Sequence, residues 1–130
     1  MIRLDENEKV VASLKKVCQE ERAASGVILS TVGALKKGTL IFRPGCRKNF
    51  NEHLEIIGNG NISRAGGRVK IHLHIAGGNE NSAKAGHLVE GVVTAFCEIV
   101  VQVLSGFAMK RRLNKDLLEQ KVLNPYKLEP

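Results

Sequence analysis

The sequence predicts an α+β domain in which a central, mostly antiparallel β-sheet carries one main N-terminal helix. Three observations lead there. Aromatic residues are scarce, with four Phe, one Tyr and no Trp in 130 residues, so the core must be built from Val, Ile and Leu, which suits strands. One stretch near the N-terminus has the apolar period of a helix. The segments after it are short apolar or alternating runs divided by Gly- and Pro-containing turns, with connections too brief for repeated βαβ units.

Asn7 is placed to cap the helix. Val10, Val11, Leu14, Val17 and Cys18 then form a one-sided stripe opposite Lys9, Lys15, Lys16, Gln19 and Glu20, and Ser25-Gly26 is the expected stop. Residues 27–32 read as a largely buried strand and 38–42 as another, closed by Pro44-Gly45. Residues 53–57 make a third, which Gly58-Asn59-Gly60-Asn61 interrupts with a bulge or turn before Ile62-Ser63. Ala65-Gly66-Gly67 turns the chain into 68–76, the clearest alternation present: Val69, Ile71, Leu73 and Ile75 point one way, and Lys70, His72, His74 and Ala76 the other. A polar loop over 77–86 leads to His87, and the apolar run 92–104 reads as a central strand. A short strand around 107–109, a turn of helix over 115–121 and a loose tail over about 122–130 complete a single domain spanning 1–130.

Lys and Arg number 20 against 13 Asp and Glu, a net charge of +7 with a pI near 9.6, which favours contact with polyanions. The cations are dispersed as Lys15-Lys16, Lys36-Lys37, Arg47-Lys48 and Lys110-Arg111-Arg112, without interleaved aromatics for base stacking, so they read as a solvated basic surface. Cys18, Cys46 and Cys97 form no C-x-x-C pair, and Cys18 and Cys97 fall in apolar contexts that suit buried thiols. The N-terminus has no apolar signal segment and no stretch has the length of a membrane span, so a cytoplasmic protein is expected, with no membrane partner.

The chemistry centres on histidine. Residues two apart on a strand share a face and stand roughly 6.5–7 Å apart at Cα, so His72 and His74 can converge on one ion. His87 would supply a third imidazole, with Gly86 permitting close backbone approach, and three imidazoles with an open fourth position are a common zinc arrangement. The same pair is also consistent with a polar strand face. Glu55, Glu90 and Glu98 are available carboxylates that no spacing rule distinguishes, and His53 reads as a strand-end residue.

Leu54-Glu55-Ile56-Ile57, Gly60-Asn61-Ile62-Ser63, His72-Leu73-His74, Gly86-His87-Leu88, Gly91-Val92-Val93 and Glu98-Ile99-Val100 occur in that order. Together they resemble the plant-and-prokaryote conserved (PPC) domain in its stand-alone prokaryotic form. Arg3-Leu4-Asp5, Val32-Gly33-Ala34-Leu35 and Arg111-Arg112-Leu113 fit as well, so the resemblance covers nearly the whole chain. Ala85 stands where a Gly is usual and Leu54 where a Phe is common, and neither change removes a feature of the site. The resemblance implies a compact α/β fold with a largely antiparallel sheet, assembly into homotrimers, and a divalent metal, zinc, at His72, His74 and His87. It also brings a DNA-binding label. In plants that label goes with an Arg-Gly-Arg-Pro hook, to which Arg43-Pro44-Gly45 is the nearest approach here, without the preceding Arg-Gly.

The function expected is therefore a homotrimeric metal-binding regulatory or ligand-binding module. One alternative is a zinc-dependent hydrolase or lyase, in which Glu55 or Glu98 acts as general base toward zinc-bound water. Another is weak, sequence-independent DNA binding. A small anionic ligand is a further possible partner: Asn61, Ser63 and Arg64 are candidates to line its pocket, although turn structure accounts for that segment equally well.

Overall fold

Apolar runs of this kind bury a face only if their backbones find partners, and in the computed structural model they find them in one sheet. It describes residues 1–119 and 126–129. In chain order the elements are β1 (Ile2–Asp5), α1 (Val10–Glu20), β2 (Gly26–Arg43), β3 (Cys46–Phe50) and β4 (Leu54–Ala65). They continue with β5 (Arg68–Gly78), β6 (Ala83–Val103), β7 (Lys110–Leu113), α2 (Lys115–Glu119) and β8 (Tyr126–Glu129). The strand order is β3-β2-β6-β5-β4-β7-β8, with β1 beside β6. Because β2 also pairs with β4, strands β2, β6, β5 and β4 close a ring. The contact of β4 with β7 is parallel and the other pairings are antiparallel. No helix among the described residues is long and apolar enough to cross a membrane.

Helix α1 buries Val10, Val11, Leu14 and Cys18 and packs on β5 and β6, over a core that includes Ile28, Leu35, Leu54, Ile62, Leu73 and Ile99. Its ends differ from the expectation. Asn7 does not cap it: with φ 72° it turns the chain, donating its N–H to the Val93 carbonyl at 3.0 Å while its side-chain oxygen accepts from Lys36 Nζ at 2.6 Å. The first-turn N–H groups of Val11 and Ala12 instead donate to the Glu90 carboxylate of β6, at 2.7 and 3.1 Å, so a distant residue satisfies the helix start. The helix stops at Glu20, before Ser25-Gly26. Arg22 takes φ 52° and the N–H groups of Arg22 and Ala23 return to Gln19 and Cys18, the Schellman pattern with arginine in the glycine position.

The two expected strands 27–32 and 38–42 are one 18-residue strand, β2, which stays paired with β6 by absorbing register shifts as bulges. Strand β3, which the sequence reading left out, pairs with β2 across Pro44-Gly45. The Gly58-Asn59-Gly60-Asn61 segment neither turns nor interrupts. It continues β4, in register with β5, from Glu55↔Gly78 to Ala65↔Arg68. Its glycines are there for space: a Cβ at Gly58 would stand 2.5 Å from the His74 carbonyl oxygen, and one at Gly60 would fall inside the envelope of the His72 carbonyl oxygen. The expected loop 77–86 shrinks to a turn over 79–82, so His87 lies within β6 and not at a loop end.

At that turn Asn79 Oδ1 accepts the N–H groups of Asn81 and Ser82, each at 2.9 Å, while its Nδ2 donates to Glu52 Oε2 at 3.0 Å. Lys84 pairs with Glu52 as well. These hydrogen bonds, Lys84 first and then Asn79 and Ser82, hold the Glu52 carboxyl down at about 2. Further on, β7 covers 110–113 where a strand around 107–109 was expected, and α2 begins at Lys115 as read. Of the tail expected to be loose, residues 126–129 pair with β7 as β8, whereas 122–125 and 130 lie outside the described residues.

Gly60→Ala should destabilise the fold by about 3 kcal/mol in urea unfolding, because backbone on β5 must move to admit the methyl group. Gly45→Ala, strained at φ 74° but with nothing within 4 Å, should cost about 1 kcal/mol. Equal costs at the two positions would contradict the close approach of β4 to β5.

Candidate metal centre

Alternation along β5 puts His72 and His74 on one face, and the antiparallel register places His87 of β6 directly opposite His74. Asn61 and Asn59 of β4 stand opposite His72 and His74 on the other side. Gly86 lets β6 reach this position, since a Cβ there would lie 2.8 Å from the Ile41 carbonyl oxygen. The three imidazoles meet with ring centroids 5.0, 5.1 and 5.5 Å apart, and one nitrogen from each lies within 4.8 Å of the others. Nitrogens about 2.05 Å from a tetrahedral zinc would be about 3.3 Å apart, so modest side-chain rotation closes the set around an ion. The donor set fits a divalent metal of zinc type. All three are neutral nitrogen ligands, which leave such an ion its full charge.

Electrostatics prepare the donors. Burial, followed by the Arg111 guanidinium and then the other two imidazoles, pushes His72 down to about 4. His87 is lowered by burial first, then by His74 and Arg111. Both rings are therefore neutral near pH 7, and no proton has to leave an imidazolium before a metal binds.

Arg111 is the residue that the sequence reading missed as part of the site. Ser25 Oγ donates to the Phe107 carbonyl at 2.6 Å and accepts from the Met109 N–H at 3.0 Å, and the Arg64 N–H donates to the Met109 carbonyl. These bonds hold β7 against β4 and aim Arg111 back over β5. Its Nε donates to Ser63 Oγ at 2.8 Å, and its Nη2 to Asn61 Oδ1 at 2.9 Å and toward His72 Nδ1 at 3.3 Å. Arg111, Arg43, Lys70, Phe42, Ile41 and the three histidines line a cavity of about 380 Å³, together with Ala65 and Ile71. Lys70 could have been found from the alternation it shares with His72 and His74. Arg111, 39 residues from His72, leaves no local signal.

The other expected site residues go elsewhere. Asn61 and Ser63 sit beside the histidines but act on Arg111, whereas Arg64 turns away, donating to the Gly67 carbonyl at 3.0 Å. Glu55 faces His53 at 2.8 Å, Glu98 faces Arg3 at 3.7 Å and Glu90 caps α1, and none of the three lines the cavity. Cys18 and Cys97 are buried thiols; burial raises the first, and burial with Glu98 pushes the second up to about 11.

The depressed histidines predict a pH response for the metal-free protein. Between about 4 and 6.5 the unfolded chain binds more protons than the folded one, so this part of the stability is present above 6.5 and is lost as pH falls toward 4. Glu52, held at about 2, loses its contribution only below its ordinary 4.5, outside most of that window. Thermal melting should therefore fall between pH 6.5 and about 5 in the parent, less in His72→Gln, and least in His72→Gln/His87→Gln. An identical slope in all three would show that these rings titrate normally.

No curated protein matches the chain. Solved structures do. One from Bacteroides thetaiotaomicron, provisionally named a DNA-binding protein, is 34% identical over 98% of this chain and 90% of its own, with a TM-score of 0.82. A plant- and prokaryote-conserved protein from Pyrococcus horikoshii is 26% identical over 99% and 90% of the two chains, with a TM-score of 0.80. A metal-containing protein from Archaeoglobus fulgidus, 24% identical over 99% and 91% of the two chains, shares the fold with a TM-score of 0.84. The sequence profile of the Plants and Prokaryotes Conserved (PCC) domain matches residues 1–105. On the order of its motifs, its fold and these matches, the chain belongs to the Plants and Prokaryotes Conserved domain family.

Proposed function

We propose that the chain is a homotrimeric metal-binding module of the cytoplasm, in which His72, His74 and His87 hold a divalent cation, zinc, beside a ligand cavity. The observation that carries this reading is the convergence of three imidazole nitrogens within 4.8 Å, two of the rings lowered by their surroundings. Bound zinc would supply a doubly charged Lewis acid with an open coordination position. A regulatory or ligand-holding role suits the site better than hydrolysis, because Glu55 and Glu98 are engaged outside the cavity and no carboxylate among the described residues lines it. Duplex DNA as a partner draws on the net charge of +7 and the Bacteroides relative's name, neither of which points to a surface.

Self-association is supported by the face that carries the histidines. Ile57 pairs across the sheet with Val32 and with Ala76, two residues beyond His74, and it is 64% exposed against 51% for Val32. A contiguous apolar strip next to a polar site has the character of an interface, and a further copy of the chain is its proposed occupant. The unpaired Cys18, Cys46 and Cys97 suit a reducing compartment.

Untagged protein purified without chelator should carry roughly one zinc per chain and sediment at three times the 14.2 kDa chain mass. His72→Ala/His74→Ala should carry none. Failure of the parent to take up zinc when it is supplied would sink the metal reading, and a monomer at micromolar concentration would sink the trimer.

A further inference from the structure

The cavity over the histidines has an unbalanced charge. Arg43, Lys70 and Arg111 line it, none of them is in an ion pair among the described residues, and no carboxylate there offsets them. A divalent ion on three neutral imidazoles would add to this charge. Arg43 and Lys70 reach solvent, but the Arg111 guanidinium is half-buried, and the described residues place no anion beside it. The remaining lining is apolar, from Ile41, Phe42, Ala65 and Ile71, and about 380 Å³ is in the range of small-molecule sites.

Arg111 is also set up to receive an anion. Ser63 and Asn61 accept from its Nε and Nη2, which fixes the plane of the guanidinium, while Nη1 has no hydrogen-bond partner among the described residues. An oxygen pair of a carboxylate or phosphate matches the edge formed by Nη1 and the Nη2 N–H that otherwise points to His72, while Ser63 and Asn61 keep the other edge in place.

Its third contact links the anion to the metal. A neutral imidazole has one ring lone pair. If His72 Nδ1 accepts from Arg111 Nη2, its proton sits on Nε2 and the ring has no donor left for a metal. A metal on Nδ1 would take the same lone pair, and a metal on Nε2 would leave a proton on Nδ1 facing the Arg111 donor. Arg111 and the metal therefore compete for His72.

We propose that this cavity binds a small organic anion, a carboxylate or phosphate on a short apolar body, with Arg111 as its anchor, and that the anion strengthens metal binding by drawing Arg111 off His72. The anion site stands on the cavity and its charges, and the coupling rests on the metal reading given above. By linkage the coupling is reciprocal: whatever factor the anion adds to metal affinity, the metal adds to anion affinity.

Calorimetric titration with benzoate, phenyl phosphate and the neutral benzamide tests both parts, on metal-free and zinc-loaded protein. The parent should bind at least one of the two anions and should bind benzamide much more weakly, and the preferred anion identifies the headgroup. Arg111→Gln should weaken the anion by about tenfold or more, the loss expected for a charge-assisted hydrogen bond, with Arg111→Lys falling between. Zinc affinity, measured by chelator competition, should rise with bound anion in the parent and be insensitive to anion in Arg111→Gln. Circular dichroism confirms folding of each variant, and Arg111→Lys serves if the glutamine variant does not fold. Anion affinity indifferent to Arg111, or benzamide bound as well as benzoate, would overturn the anion site. Zinc affinity unmoved by bound anion would overturn the coupling. A parent that takes no zinc yet binds anion through Arg111 would remove the metal reading and the coupling and keep the anion site.

Discussion

The antiparallel pairing of His74 with His87 across β5 and β6 is the contact on which the site depends, because it converts two distant stretches of sequence into one cluster. A shift of the register by one residue would send His87 to the opposite face of the sheet and leave the H-x-H pair without its third member. Two features hold the register. At one end, the Asn79 turn with Glu52, Ser82 and Lys84 sets where β6 begins. Along the strands, Gly58 and Gly60 let β4 approach the His74 and His72 carbonyls of β5, and Gly86 lets β6 approach the Ile41 carbonyl of β2, more closely than any side chain would allow.

The site's chemistry follows from what surrounds those rings. His72 and His87 are partly buried beside a guanidinium with no carboxylate among the described neighbours, so both favour the neutral form and keep lone pairs available, while His74 is exposed. The same setting leaves the cavity positive, which favours an anion over a cationic or neutral occupant. Arg111 joins these effects: it lowers the proton affinity of His72, competes for its lone pair, and presents a donor edge to the cavity. β7 carries it, and Ser25 ties down the segment that leads into β7. Buried Ser25 therefore helps to position the guanidinium that lowers His72.

Much of this was legible in the sequence, and the part that was not has a physical cause. The face shared by His72 and His74, the buried set Val69, Leu73 and Ile75, and the apolar stripe of α1 are period effects that local pattern reports directly. The fold class followed from composition and short connections. Glycine misled the strand boundaries, because Gly58 and Gly60 carry the same local signature whether they permit a turn or a close approach, and only the partner strand distinguishes them. The split of β2 into two strands had a similar origin, since bulges let an 18-residue strand continue through a pattern that looks broken. Asn7 lost the capping role to Glu90, and Arg64 lost the pocket to Arg111, because each decision belongs to tertiary contacts made across long sequence separations.

X-ray absorption at the zinc edge of the loaded protein distinguishes three imidazoles without a thiolate from any other ligand set. Three imidazole nitrogens and one further light ligand are expected at about 2.0–2.1 Å, falling to two imidazoles in His87→Ala. A sulfur scatterer near about 2.3 Å, or fewer than three imidazoles in the parent, would contradict the three-histidine site.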